Sequence, residues 1–320
     1  MIKKIYRKVQ NFTKLFFLSP SLKAIDTLPN NGEITLGDVG AAGKIEPRWR
    51  NYGKNLNYIG FEPDARSRKI ISNKITDYKS YKILPYVLSN KVKTSTFNLC
   101  KKPQVSSLYK PNFYFLEKFP DAKRFEVIET VDMGCVSLDE LNLPKIDFLK
   151  LDIQGAENDV LKGANTMLKS VLGLELEVEF IELYKEQPLF GDICKTLSNN
   201  EIEFIDFVNL SRWERKAHNG HGQCIFGDAL FLRTPEFLLN KKSDIITWSS
   251  YIAILLIYRR FDLVEVVLTI LPTELKKEFR KFEIFFIKAK GREKIMRYIH
   301  TFLNRSVSLF GDCYQLHLNR

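Results

Sequence analysis

From residue 31 to residue 233, short apolar runs suited to strands alternate with polar runs suited to helices. No other feature of the chain limits its fold as tightly. EITLGDV leads into a glycine loop, LNYIGFEP into a polar segment (65–79) of helical character, and YKILPYVLS and TSTFNLC follow. After a loop-rich stretch (101–125) come FEVIETVDM, the short helix LDEL, the strand IDFLKLDI and the helical run AENDVLKGANTMLKS. VLGLELEVEF, a helix near 189–199, EIEFIDFV and DALFLR close the series. Strands separated by helices predict an α/β fold with a mostly parallel sheet covered on both faces. Such a sheet binds ligands beyond the carboxyl ends of its strands.

The flanks differ from this core, and they divide the chain into residues 1–30, 31–234 and 235–320. Ile2, Ile5, Val9, Phe12, Phe16 and Phe17 recur at helical spacing among six Lys/Arg, and the first carboxylate is Asp26. That pattern predicts a basic amphipathic helix over 1–25, which would dock on its own domain or lie on an anionic membrane. Past Pro235 the alternation stops, and helical stretches broken by RRFD, LPTE and KGRE carry 15 Lys/Arg against 9 Asp/Glu. The formal charge of +11 therefore sits mostly at the two ends, which points to an anionic partner or surface. IITWSSYIAILLIY (245–258) is too short to span a bilayer and reads as a buried helix. LFFL is too short for a signal-peptide core. Five cysteines without a CxxC pair argue against a disulfide framework or a structural zinc, and suit a reducing cytoplasm.

The loop GDVGAAGK spaces Asp38, Gly40 and Gly43 as D-x-G-x-x-G. A dinucleotide loop has glycine where Asp38 stands. A carboxylate facing the ligand repels a pyrophosphate and favours a cationic ligand, such as the amino group or sulfonium of S-adenosylmethionine. The same stretch also reads as a tight strand-to-helix turn with no ligand. Glu62 ends the next strand 22 residues after Gly40, where an acid accepts from both ribose hydroxyls or simply closes the strand. IDFLKLDIQGAE carries Lys150 and Asp152 toward a strand end, turns at Gly155 and opens a helix with Glu157, where a carboxylate suits the dipole. In LELEVEF, Glu175, Glu177 and Glu179 share one face. Three desolvated like charges would be costly, so the face is open to water or the run is short. Glu177 and Glu179, nearest the carboxyl end, are offered to acceptor hydroxyls or a divalent cation. NGHGQ places His221 in a glycine-flanked loop, as a general base or a plain surface residue. His218 has weaker support, and His300 and His317 read as structural.

IDFLKLDIQGAENDVLKGA resembles the signature of the FkbM family of S-adenosylmethionine-dependent methyltransferases, close to DFLKIDVEGAE–VLKGA. DVGAAG, FEPDA, LDEL, EVEFIELYKEQPLF and GQCIFGDALFLR extend the resemblance over about 31–233. It implies a Rossmann-like class I methyltransferase sheet of seven strands, mostly parallel with the last antiparallel, and S-adenosylmethionine as donor. It further implies that Asp38, Gly40, Ala41 and Gly43 line the methionine part, that Glu62 holds the ribose, and that Leu88 and Ser89 lie near the adenine. Asp152 would sit beside the sulfonium or the acceptor, and Glu157, Tyr184, Gln187 and Asp228 would contact the acceptor. Gln154 stands where the family more often has glutamate, so it is not assigned as a base or metal ligand. The implied reaction is O-methylation of a hydroxyl, with Asp152, Glu177, Glu179 or His221 as base. The preferred acceptor is a sugar of a cell-surface polysaccharide or glycoconjugate. A nicotinamide-dependent sugar oxidoreductase shares the sheet but lacks its fingerprint here. A nucleic-acid methyltransferase or binding module lacks a base-flipping loop and an aromatic-interleaved basic stripe.

Overall fold

The computed structural model of the chain describes residues 23–42, 45–50, 52–65, 67–68, 78–215 and 220–308, those from 292 onward as backbone. The predicted N-terminal helix, except for residues 23–25, lies outside the described residues, as do Gly43, His218, His317 and most of the segment 65–79. Two compact units emerge: Glu33–Ile254, and the described parts of Met1–Gly32 and Leu255–Arg320.

Among the described residues the strands are β1 (Ile34–Val39), β2 (Leu56–Phe61), β3 (Ser80–Leu84), β4 (Val87–Leu88) and β5 (Lys93–Cys100), followed by β6 (Val127–Val136), β7 (Phe148–Leu151), β8 (Gly173–Glu179), β9 (Glu203–Trp213) and β10 (Gln223–Leu232). Seven of them form one sheet in the order β3-β2-β1-β7-β8-β10-β9. β3, β2, β1, β7 and β8 run parallel, and β10 is antiparallel to both neighbours. The fold is therefore the expected α/β one, with seven strands and the last reversed. Its central strands are near-continuous apolar runs because both faces are covered. Val39, Phe61, Leu149, Leu151, Leu174, Leu176 and Val178 join Val160 and Leu161 of the following helix in one buried cluster.

Several elements depart from the sequence reading. YKILPYVLS is not one strand: Pro85, which has no N–H for a ladder, separates β3 from β4. β4, β6 and β5 make a second, three-stranded sheet, so TSTFNLC and FEVIETVDM do not join the main one. β6 is exposed along most of its length and β5 alternates in burial, as befits an antiparallel pair with a wet face. LDEL is a single 3₁₀ turn, closed by a capping box in which the Ser137 N–H and hydroxyl both donate to Glu140, at 2.9 and 2.6 Å.

The helices in chain order are α1 (Pro47–Arg50), α2 (Phe113–Leu116), α3 (Glu157–Lys162), α4 (Phe190–Ser198), α5 (Pro235–Asn240), α6 (Ile245–Ile257), α7 (Phe261–Ile270) and α8 (Thr273–Ser308). α3 is shorter than AENDVLKGANTMLKS suggests, because the chain leaves the helix at Gly163 and resumes as a 3₁₀ turn at Met167–Lys169. The stretch 101–125 is not a loose loop. Phe115, Leu116, Phe119 and Phe125 build a second core with Tyr184 and Ile225. α6 is the buried helix expected of 245–258, with Trp248 and Tyr251 fully enclosed. RRFD and LPTE do interrupt the helices, whereas KGRE does not: α8 runs through it, since a lone glycine costs only about 1 kcal/mol in a helix without proline. Among the described residues no helix is long and apolar enough to cross a membrane.

Candidate active site

The charged residues singled out in the sequence meet at the carboxyl ends of the parallel strands. Asp38 on β1 is in register with Lys150 on β7, and Lys150 with Glu175 on β8. Registered partners share a face of the sheet, so acid, base and acid stand in a row. The Lys150 ammonium lies 4.0 Å from Asp38 and 3.8 Å from Asp152, two residues on. Burial works against its charge, but Asp38, Asp152, Glu175 and Asp228 outweigh this and hold its pKa above the usual lysine value. Arg48 of α1 reaches the far end of the row, 3.4 Å from Glu175. Opposite charges thus compensate a face that looked too acidic to bury, and Glu175 is only 3% exposed.

The glycine loop is tied to the protein itself. The N–H groups of Gly40 and Ala41 both donate to the Phe61 carbonyl at 3.1 Å. Gly40 has a φ of +84°, and a Cβ there would overlap the Asp152 carbonyl oxygen. Glycine is therefore required at position 40 by the close approach of the chain after β7. Ala41 is buried. Among the described residues of the loop, the Asp38 carboxylate is a group left for a ligand. Its Oδ2 accepts from the Tyr58 hydroxyl at 2.7 Å, while Oδ1 is buried with no hydrogen-bond partner. Burial pushes the Asp38 pKa up, against the pull of Lys150 and Tyr58. That oxygen is the one the Lys150 ammonium faces at 4.0 Å, beyond hydrogen-bond reach, and an anionic acceptor still lacking a hydrogen bond fits a cationic donor group such as an ammonium. Glu62 closes β2, 5% exposed, with one oxygen accepting from the Asp64 N–H at 2.8 Å. Burial raises its pKa as well.

The turn from β7 into α3 is built around two left-handed residues, Gln154 (φ 60°) and Gly155 (φ 98°). Strained backbone of this kind persists where surrounding contacts over-determine it. Glu157, 2% exposed, accepts from the Ile153 N–H at 2.7 Å and the Gly155 N–H at 2.9 Å. Both of its oxygens serve the turn, which makes it a support for the site and not an acceptor contact. Burial carries its pKa up to about 7, against those hydrogen bonds. Gln154 forks its amide between Asp152 Oδ1 at 3.1 Å and Glu177 Oε1 at 2.8 Å. Its own carbonyl oxygen lies 3.1 Å from the Tyr184 hydroxyl, and its backbone carbonyl accepts from the Ser107 hydroxyl at 2.7 Å. Tyr184 is fully buried and Gln187 is 4% exposed, and Gln187 accepts from the Tyr184 N–H at 2.6 Å.

At the acceptor end, burial raises Glu177 and Glu179 well above the usual carboxyl range. Asp152, Glu179 and Glu157 add to the effect at Glu177, and Glu157 at Glu179, where the Gln187 amide opposes it. The Gln187 amide faces Glu179 closely enough to favour its charged form, but Glu179 Oε1 and Gln187 Nε2 are buried with no hydrogen bond of ordinary geometry. Asp228 faces Glu177 across β10 and β8. Burial, then Glu175 and Asp152, push its carboxyl up to about 6, against Lys150. The folded chain keeps a proton there that an ordinary carboxyl at 3.8 has already lost. Stability then falls as pH rises through that interval. Asp228→Asn is expected to flatten this part of the curve in urea titrations between about pH 4 and about pH 6. Equal slopes in variant and wild type would exclude the assignment.

The remaining candidates stand outside this row of charges. Leu88 packs in the main core and Ser89 is fully buried, its N–H donating to Val136. His221 is exposed in the turn between β9 and β10, beyond the point where Phe226 pairs with Glu179. His300 falls within α8. Among the described residues no group of three or more His, Cys, Asp or Glu could hold a metal ion. A cavity of about 460 Å³ lined by Glu201, Glu203, Glu236 and Lys241 opens at the other end of β9 and β10. Sequence reasoning gave no role to Lys150, Gln154, Tyr58 or Arg48. The K-x-D alternation in IDFLKLDI signalled Lys150, since it puts Lys150 and Asp152 on one face.

No curated protein sequence matches the chain. Solved structures similar to it include an FkbM methyltransferase from Methylobacillus flagellatus KT, at 12% identity and a TM-score of 0.36, covering 63% of this chain and 44% of that one. The chain thus spans less than half the length of that protein. The magnesium protoporphyrin IX methyltransferase of Synechocystis PCC 6803 with bound SAM is 10% identical, with a TM-score of 0.37, covering 72% of this chain and 83% of that one. TYW2 of M. jannaschii in complex with AdoMet is 12% identical, with a TM-score of 0.31, covering 66% and 74%. The methyltransferase FkbM domain itself matches residues 38–204, more than half of the sequence and the span that holds all these carboxylates except Asp228, and the chain belongs to that methyltransferase family.

Proposed function

We propose that this protein transfers a methyl group from S-adenosylmethionine to a hydroxyl of a sugar in a cell-surface polysaccharide or glycoconjugate. The observation that carries the reading is Asp38 Oδ1, buried and without a hydrogen-bond partner, in an FkbM methyltransferase domain. A positively charged donor satisfies that oxygen. A nicotinamide dinucleotide would bring a pyrophosphate to a carboxylate, at a loop whose Gly40 and Ala41 N–H groups are already engaged. Glu62 at the end of β2 suits the ribose hydroxyls. Methyl transfer is an in-line displacement, so placing the acceptor oxygen supplies much of the rate. Asp152 is the best-placed base, because its side chain is 42% exposed and is oriented by Lys150 and Gln154. Glu177 and Glu179, with raised proton affinity, suit donation of hydrogen bonds to the other oxygens of a polyhydroxyl acceptor. The basic ends of the chain suit an acidic or lipid-linked glycan.

Titration calorimetry with S-adenosylmethionine tests the donor assignment. Loss of a charge-assisted hydrogen bond in Asp38→Asn removes about 1.5–3 kcal/mol, or about ten- to hundredfold in affinity. Unchanged affinity, or binding of a nicotinamide dinucleotide in its place, overturns the reading. Incorporation of labelled methyl groups into hydroxylated oligosaccharides, lost in Asp152→Asn, tests the acceptor class.

A further inference from the structure

The smaller unit carries a surface for which methyl transfer has no use. One side of α8 is buried through Phe279, Phe282, Phe286 and Ala289, at the three- and four-residue spacing of a packed helix face. Phe286 stacks on Phe282 and meets Phe261 of α7, with ring centroids 5.6 and 6.0 Å apart. At about 100° per residue, Lys277, Arg280, Lys281, Ile284, Ile287 and Lys288 fall within an arc of about 120° on the opposite side. All six are exposed, with Ile284 at 49% and Ile287 at 62%. The arc joins four cations and two isoleucines, and none of the six is acidic. In the sequence, Ile295, Tyr298, Ile299, Phe302 and Arg305 continue the same spacing along a helix that runs to Ser308.

We infer that this face of α8 docks on an anionic lipid surface. Isoleucines set among long basic side chains let the apolar groups enter the headgroup boundary, while the ammonium and guanidinium groups stay with the phosphates. Each cation near an anionic leaflet adds to the attraction. A second copy of the chain would present the same cations and be repelled. Nucleic acid would call for aromatic platforms between the cations; from Lys277 to Lys288 the arc sets isoleucines among its four cations, and Tyr298 and Phe302 come only beyond them. The inference stands apart from the methyl-transfer reading, because none of these residues lies near the carboxylate row in the sequence.

Co-sedimentation of the full chain with phosphatidylcholine vesicles, with and without phosphatidylglycerol, tests it. Wild type is expected to bind only the vesicles that contain phosphatidylglycerol, and to be released by high salt. Lys277→Glu/Lys281→Glu and Ile284→Ser/Ile287→Ser are each expected to weaken binding at least about tenfold. Both variants keep the wild-type circular dichroism and S-adenosylmethionine affinity, because the positions are exposed. Absence of binding by wild type, equal binding to neutral vesicles, or undiminished binding by both variants overturns the inference. So does retention of RNA through this face, or self-association through it, without vesicle binding.

Discussion

Replacing Lys150 with methionine is expected to remove about 3–5 kcal/mol of unfolding free energy from the larger unit, and to abolish donor binding with it. The lysine is a cation of the row, its side chain only 15% exposed, and Asp38, Asp152, Glu175 and Asp228 outweigh the effect of burial and keep it charged. Removing one partner of a buried ion pair leaves the other desolvated and uncompensated, which is worse than losing both. The double variant Lys150→Met/Asp38→Asn is therefore expected to recover part of the loss. Urea titration of the two single variants and the double gives the coupling directly. If Lys150→Met unfolds at the wild-type urea concentration, the row of charges does not hold these strand ends together. If the single variant cannot be purified folded, the double variant still separates charge compensation from loss of side-chain volume.

Gly40→Ala is expected to be the most damaging single methyl among the described glycines. The position combines a left-handed backbone with a Cβ that would lie 2.9 Å from the Asp152 carbonyl carbon and overlap its oxygen. Left-handed backbone costs a non-glycine residue about 1–3 kcal/mol, and backbone overlap adds to that, so a loss of at least about 3 kcal/mol is expected. Gly134→Ala in β6 is the control: a Cβ there meets nothing within 4 Å, and its effect is expected to stay within about 0.5 kcal/mol. Thermal melts followed by circular dichroism compare the two. Similar melting temperatures for both variants would show that the strand ends of β1 and β7 can part without penalty.

The parallel sheet was legible because its strands are covered on both faces and so read as apolar runs, from EITLGDV through LELEVEF. Its carboxyl edge was legible because acids end those runs: Asp38, Glu62, Asp152 and Glu179. The second sheet was not legible. TSTFNLC and FEVIETVDM have strand composition, but nothing local says which sheet a strand joins, and that choice was made by pairing across 27 to 42 residues. The covering layer at 101–125 looked like a loop because its helices are one turn long. Beyond the Phe115–Phe119 pair, its aromatic rings meet Tyr184 and Trp213, far along the chain. The three glutamates of LELEVEF were read correctly as sharing a face, but what allows Glu175 and Glu177 to be there is the Arg48 ion pair and the Gln154 hydrogen bond, more than 20 positions away in the chain.

By itself the sequence determined the class of fold, the end of the sheet where charge collects and the family to which the chain belongs. Each of these depends on periodicity or on residues a few positions apart, and short-range backbone geometry is enough to express them. Only the tertiary structure decided which groups remain for a ligand. The Gly40 and Ala41 amides are consumed by Phe61, Glu157 is consumed by its own turn, and Asp38 keeps an oxygen without a partner. Whether a polar atom is left unsatisfied depends on everything packed around it, and the chain brings those neighbours from strands and turns far apart in the sequence.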